Sequence, residues 1–130
     1  MSAPETLAAR PLAEPFTDGL RDGVLRYQQC TACGTAQTLA RYACPHCGER
    51  GALVWRDAAG AATVRAVTMV ARAPSDEFRA LAPYTLVIVQ LAEGPRLMAH
   101  ATPGVCIGER VHAGFFEHQG RTLVRFAPAA

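Results

Sequence analysis

The sequence predicts a mainly β chain in three parts: an N-terminal arm with short helices over residues 1–25, a metal-held ribbon over 26–52 and a small antiparallel barrel over 53–130. Three observations carry this. Two Cys-x-x-Cys pairs, Cys30/Cys33 and Cys44/Cys47, stand ten residues apart. From Leu53 onward, apolar residues alternate with a period of two between turn-forming residues, the signature of short strands. Ahead of the cysteines, Pro4, Pro11 and Pro15 punctuate an alanine-rich, acidic stretch with little reason to fold alone.

The arm supports at most one short helix around Glu5–Arg10 and a second within Phe16–Leu25. In the second, Thr17 or Asp18 is placed to cap, Leu20 and Leu25 supply apolar anchors, and Gly23 can end the helix in the left-handed conformation. Gly19 weakens it. With Phe16 exposed at its base, the arm suits either docking on a partner or a disordered tail.

The cysteines define the middle part. Thiolates are soft ligands with high affinity for zinc, and a closed tetrahedron of them leaves no position for substrate, so such a centre is structural. Gly34 and Gly48, one after each pair, permit the positive φ that a metal-wrapping turn needs. Rubredoxin-type iron would use the same sulfurs; zinc is the commoner ion. Disulfides fit poorly with a start that has no apolar signal segment, which points to the cytoplasm and reduced thiols. A redox Cys-x-x-Cys wants one low-pKa cysteine in a βαβ setting, and duplicated pairs this close argue against it. His46, inside the second pair, is expected to face solvent. Val24–Gln29 leads into the first pair as a strand and Ala36–Tyr42 returns to the second, the layout of a zinc ribbon. Because so small a ribbon buries almost no core, the metal supplies most of its folding energy, on the order of 10 kcal/mol.

Strands follow at Leu53–Asp57, Ala62–Ala73, Tyr84–Leu91, Arg96–His100, Arg110–Phe116 and Thr122–Phe126. The second of these has Arg65 as its only charge before Arg72, which predicts burial on both faces. Ala73–Pro83 breaks the pattern as a loop or short helix capped by Ser75. Gly114 within a strand suggests the bend a barrel corner needs. Cys106, between Val105 and Ile107, reads as a buried small hydrophobe. Five to six short antiparallel strands with one irregular insertion fit a Greek-key barrel of the oligonucleotide/oligosaccharide-binding (OB) type.

Composition excludes several chemistries. There is no lysine among 130 residues, which removes Schiff-base chemistry and a phosphate-loop lysine. Serine occurs only at Ser2 and Ser75, neither in a nucleophile-elbow context. No apolar run is long enough to span a membrane as a helix. The net charge of +2 is too small to imply a nucleic-acid partner by itself.

Several stretches together resemble a known family. They are Pro15–Leu25, Cys30-x-x-Cys33-Gly34, Cys44-Pro45-x-Cys47-Gly48, Leu53-x-Trp55, Gly60-x-x-Thr63-Val64, Pro83-Tyr84, Glu93–Leu97 and Ile107-Gly108-x-Arg110-Val111, spanning residues 15–126. Their order and spacing resemble the proteins that pair a rubredoxin-like zinc ribbon with an OB-fold, the acyl-CoA-associated "domain of unknown function 35". The resemblance implies a non-catalytic accessory subunit bound to a thiolase-like acyltransferase or aldolase, or to a hydratase-type subunit. Structural zinc would sit on Cys30, Cys33, Cys44 and Cys47, and acyl-CoA would be docked or channelled near the barrel.

Coenzyme A needs cations for its phosphates and a flat surface for adenine. The segment carrying Arg72, Phe78, Arg79 and Tyr84 offers both and is the candidate ligand or partner surface, the alternative being an ordinary solvated connection with Phe78 and Tyr84 plugging a barrel end. Two rivals stand beside this reading. A single-stranded nucleic-acid binder would need a basic groove with stacking aromatics, whereas the strands offer mainly Ala, Val, Leu and Thr. A free-standing CoA-ester enzyme would have to use His100, His112 or His118 with Glu117, none of which has catalytic spacing.

Overall fold

The computed structural model describes residues 11–38 and 40–129. The helix expected around Glu5–Arg10 lies outside them. Elements run in the order α1 (Glu14–Arg21), β1 (Arg26–Cys30), β2 (Ala36–Gln37), β3 (Leu53–Asp57), β4 (Ala61–Val70), α2 (Asp76–Arg79), β5 (Tyr84–Leu91), β6 (Arg96–Ala101), β7 (Arg110–His118) and β8 (Arg121–Pro128). Strands β2-β1-β3 form the ribbon sheet, and β4-β5-β6-β8-β7 close a barrel.

Helix α1 begins earlier than its capping residues suggest. Pro15 sits in the first turn, where an N–H is not needed, so Thr17 and Asp18 fall inside the helix. Asp18 instead pairs with Arg21 at 3.0 Å, and Gly23 ends the turn with φ 75°. Gly19 is less a weak point than a requirement. A Cβ there would lie 2.8 Å from the Val24 carbonyl oxygen, because Val24 N–H donates to the Gly19 carbonyl at 2.8 Å as the chain folds back. The amphipathic helix lays Leu20 into the barrel core with Leu25, and Phe16 packs against the same cluster rather than standing exposed.

The strand Leu53–Asp57, expected to open the barrel, pairs instead with β1 from Arg26↔Asp57 to Cys30↔Leu53. Periodicity of two identifies a strand but not its sheet. The Arg26–Asp57 ion pair, at 3.1 Å, strengthens this edge. The second nitrogen of the same guanidinium donates to the Pro15 carbonyl at 3.2 Å, joining α1 to the ribbon. The return strand of the ribbon shrinks to Ala36–Gln37 because side chains replace the ladder: Gln28 accepts from Arg41 N–H at 3.0 Å and donates to its carbonyl at 3.2 Å.

In the barrel, Val64, Val87, Val89, Leu91, Val111 and Phe126 are at most 2% exposed and form the core. Two expectations about shape change. Gly114 pairs regularly with Arg125, while the register shift sits between Val64 and Ala66 in β4. Beyond that bulge β4 is not buried on both faces: Val67, Thr68 and Met69 are all exposed, because β7 pairs only with Ala61–Thr63 and leaves the far half of β4 beside β5 alone. Cys106 is exposed rather than buried. It lies in a turn between Gly104 and Gly108, where Val105 takes the inward position.

Candidate metal centre and ligand-facing surface

Two equivalent turns build the metal centre. Gly34 N–H donates to the Cys30 carbonyl at 2.8 Å, and Gly48 N–H to the Cys44 carbonyl at 2.9 Å. Both glycines have positive φ, 83° and 78°, as that turn requires. The Cys30 amide then donates to Thr35 O and the Cys44 amide to Glu49 O, so each knuckle repeats the other. The four sulfurs lie within 4.8 Å of one another, with Cys30 Sγ 3.7 Å from Cys47 Sγ and Cys33 Sγ 3.6 Å from Cys44 Sγ. A tetrahedron of thiolates at a zinc–sulfur distance of about 2.3 Å has edges of about 3.8 Å. The residues fit the ion.

Electrostatics point the same way. Hydrogen bonds from the Thr35 hydroxyl and backbone lower Cys33 to about 6, with the neighbouring Cys44 and Cys47 also favouring its thiolate. An amide hydrogen bond from Glu49 favours the Cys47 thiolate too, yet desolvation and the three neighbouring sulfurs push that group up to about 12. Without a cation the last thiol keeps its proton; a divalent ion at the centre removes the conflict. His46 is exposed, as expected.

The candidate ligand segment divides. Phe78, on α2, and Tyr84, at the start of β5, come together with ring centroids 6.4 Å apart. Arg72 and Arg79 do not join them. Arg72 is exposed, and Arg79 is exposed and paired with Asp76 at 2.5 Å. The cation beside the aromatic group comes from β8 instead: the Arg125 guanidinium lies 4.5 Å from the Phe116 ring centroid. His100 completes the group, 5.0 Å from Tyr84 and edge-on to Phe116 at 5.6 Å. Tyr84, His100, Phe116 and Arg125 line a cavity of about 270 Å³ on the outer face of the barrel.

Segment α2 is held over this face by its own partners. His118 stacks on Phe78 at 5.7 Å, its ring nitrogen meets the Glu77 carbonyl, and Arg121 pairs with the Glu77 carboxylate. Burial, helped by Arg125 and His118, lowers the pKa of His100 and so favours its neutral form. His112 lies elsewhere, its ring packed against Gly60, so the three histidines form no common site. Phe116 and Arg125 were not singled out by sequence. The available signal was alternation: Leu123 and Arg125 occupy the positions of β8 that alternate with buried Val124 and Phe126, and Phe116 pairs with Leu123.

Comparison with known proteins agrees with this architecture. Residues 17–54 match the model of the ChsH2 rubredoxin-like zinc ribbon domain, and residues 55–116 match that of the ChsH2 C-terminal OB-fold domain. A DUF35 domain-containing scaffold protein of Methanothermobacter thermautotrophicus is 33% identical over 69 residues, 53% of this chain and 51% of that protein, so the chain spans about half of that relative's length. Among solved structures, one described as the Ltp2-ChsH2(DUF35) aldolase superposes with a TM-score of 0.79 at 28% identity, covering 95% of this chain and 98% of that one. A DUF35 protein of unknown function from Sulfolobus solfataricus shares the fold, with a TM-score of 0.64 at 22% identity over 99% of this chain and 93% of that one. Among the described residues no helix is long and apolar enough to cross a membrane. The two domain models together cover residues 17–116 in unbroken order, so the chain carries a ChsH2-type rubredoxin-like zinc ribbon followed by a ChsH2-type OB-fold domain.

Proposed function

We propose that this chain is a non-catalytic accessory subunit that binds a thiolase-like acyltransferase or aldolase and helps dock or channel its acyl-CoA. One observation carries the reading: the likeness, over 95% of this chain, to a structure described as an aldolase of Ltp2 with a ChsH2 DUF35 component. The inventory supports it, since the chain has no lysine and almost no serine. In this reading Cys30, Cys33, Cys44 and Cys47 hold a structural zinc ion, which supplies no chemistry to a reaction and sets the geometry of the ribbon.

The surface around Phe78, Tyr84, His100, Phe116 and Arg125 suits one flat ring and one anion, the two recognition features of a CoA adenosine phosphate. Arg72 and Arg79, exposed on the same segment, face the partner or the ligand phosphates. The test is reconstitution with a thiolase-type enzyme from the same source, the neighbouring reading frames being the first place to seek it. Stable co-elution and faster CoA-ester turnover by the complex are expected, and the pair Arg72→Ala/Arg79→Ala or the single Arg125→Ala should lower turnover or partner affinity. Unchanged affinity and turnover in all these variants would remove the surface from the proposal, and CoA-ester turnover by the purified chain alone would overturn the non-catalytic assignment.

A further inference from the structure

The far half of β4 has a pairing strand on one side only. After the shift between Val64 and Ala66, residues Ala66–Val70 pair with Ile88–Tyr84 on one side, and among the described residues no strand pairs with them on the other. The direction of the backbone groups follows from the ladder. Ala92 N–H donates to the Ala61 carbonyl, and Leu91 N–H to the Pro95 carbonyl, so Ala92, Gln90, Ile88, Leu86 and Tyr84 bond toward β4, while Val87 and Thr85 bond toward β6. The β4 residues opposite Val87 and Thr85 are Val67 and Met69. Their N–H and C=O groups therefore point to the open edge. Val64 already uses its groups on that side, with Glu109 O and Gly108 N–H.

The side chains of the same two residues are bare. Val67 is 39% and Met69 70% exposed, although Val87 and Thr85 across the ladder are only 1% and 8% exposed. An uncharged run, Ala66–Ala71, thus presents apolar side chains and unpaired main-chain groups on one edge. It contains no proline, lysine or acid, the devices with which soluble sheets protect such edges. Arg65 and Arg72, both exposed, stand at its two ends.

From this juxtaposition we infer that the β4 edge at Val67 and Met69 takes an extended strand of the partner enzyme, an uncharged segment of alternating apolar residues flanked by acids that meet Arg65 and Arg72. The occupant follows from the edge: strand addition satisfies the four main-chain groups, apolar alternation covers Val67 and Met69, and two arginines select negative flanks. The identity of the partner rests on the accessory-subunit reading; the mode of contact does not.

Hydrogen exchange on the zinc-loaded full chain, alone and with a thiolase-type enzyme from the same source that co-elutes with it, tests this. The amides of Val67 and Met69 exchange freely in the isolated chain and become protected in the complex. Val67→Pro removes a donor that points away from β5 and so spares the β4–β5 ladder. Met69→Lys places a charge on the edge. Each weakens the complex at least about tenfold, the loss expected when one buried main-chain bond goes unmade, and the lysine variant keeps the test valid where the proline variant fails to fold.

A complex that forms with these amides unprotected, or that binds both variants as it binds the parent, overturns strand addition and leaves the accessory role standing. No complex at all overturns both. Self-association of the isolated chain that Val67→Pro abolishes makes a second copy the occupant, and protection in the isolated chain that disappears on deleting residues 1–10 makes it the chain's own start; either result overturns the assignment to the partner.

Discussion

The ribbon and the barrel share the strand alternation of a β protein and are held by opposite means. In the barrel, six side chains at most 2% exposed are packed by five strands around one centre. Among the described residues the ribbon contributes Tyr27, Cys30 and Cys44 as its buried apolar residues, with no large buried aliphatic side chain beside them. Hydrophobic burial scales with area, so a sheet this small needs another source of stability, which a cation binding four thiolates provides. Identical local periodicity thus hides two energetic regimes, one tied to solvent exclusion and one to the chemical state of sulfur.

The largest way to separate them is to remove the metal. Cys44→Ala, or a strong chelator, should cost the ribbon about the binding energy of structural zinc, on the order of 10 kcal/mol. Amides of Tyr27–Cys30 and Leu53–Asp57 should lose protection while Val87–Leu91 in the barrel keep theirs for longer. Simultaneous loss in both regions would mean that the comparison is too sharp and that the ribbon is part of the barrel's folding unit. Next comes the core itself. Phe126→Ala removes a fully buried ring and should lower barrel stability by about 3–5 kcal/mol, read as a fall in Tm, with bound zinc per chain unchanged at low temperature.

A smaller effect belongs to the seam. At Gly19 a methyl would meet the Val24 carbonyl oxygen at 2.8 Å, so Gly19→Ala should cost about 1–3 kcal/mol by overpacking. Since α1 touches β1 and β8 alike, exchange should rise at Leu25 and at Val124 together. The smallest change is electrostatic. His100 has its pKa lowered in the folded chain, so the unfolded chain binds more protons through the range below the ordinary histidine pKa of about 6.5. Stability contributed by neutral His100 is present above that value and is lost as pH falls toward the lowered folded pKa. His100→Phe should flatten the Tm-versus-pH curve between about pH 7 and pH 5, with the zinc centre followed separately because its thiols titrate as well.

What sequence could show divides along the same line. Cys30, Cys33, Cys44 and Cys47 are legible because metal geometry restricts spacing locally, and Tyr84–Leu91 is legible because one uninterrupted apolar run makes one strand. Leu53–Asp57 is legible as a strand but not as the ribbon's third, since pairing with β1 depends on residues some thirty positions earlier. Composition predicts burial on both faces for β4, yet Val67 and Met69 are exposed because β7 begins only at Arg110, opposite Thr63, and has no residues beside the far half of β4. Composition reports how apolar a strand is, not how far its neighbour extends. The segment Arg72–Tyr84 carries arginines of its own, but the one beside the aromatic group is Arg125 of β8, a contact made only when the barrel closes.

The strand order has a further consequence for how the chain is made. Every residue of the ribbon sheet, through Asp57, precedes the barrel in the sequence, whereas β8 lies between β6 and β7 in the barrel and carries Phe126 at its centre. During synthesis the cysteines emerge and can capture their ion while most of the barrel is still unmade, and Leu20 and Leu25 wait for a core that exists only after the last strand arrives. Metal supply is therefore an early checkpoint in the life of the polypeptide and barrel closure a late one, with the interval between them set by the pace of translation.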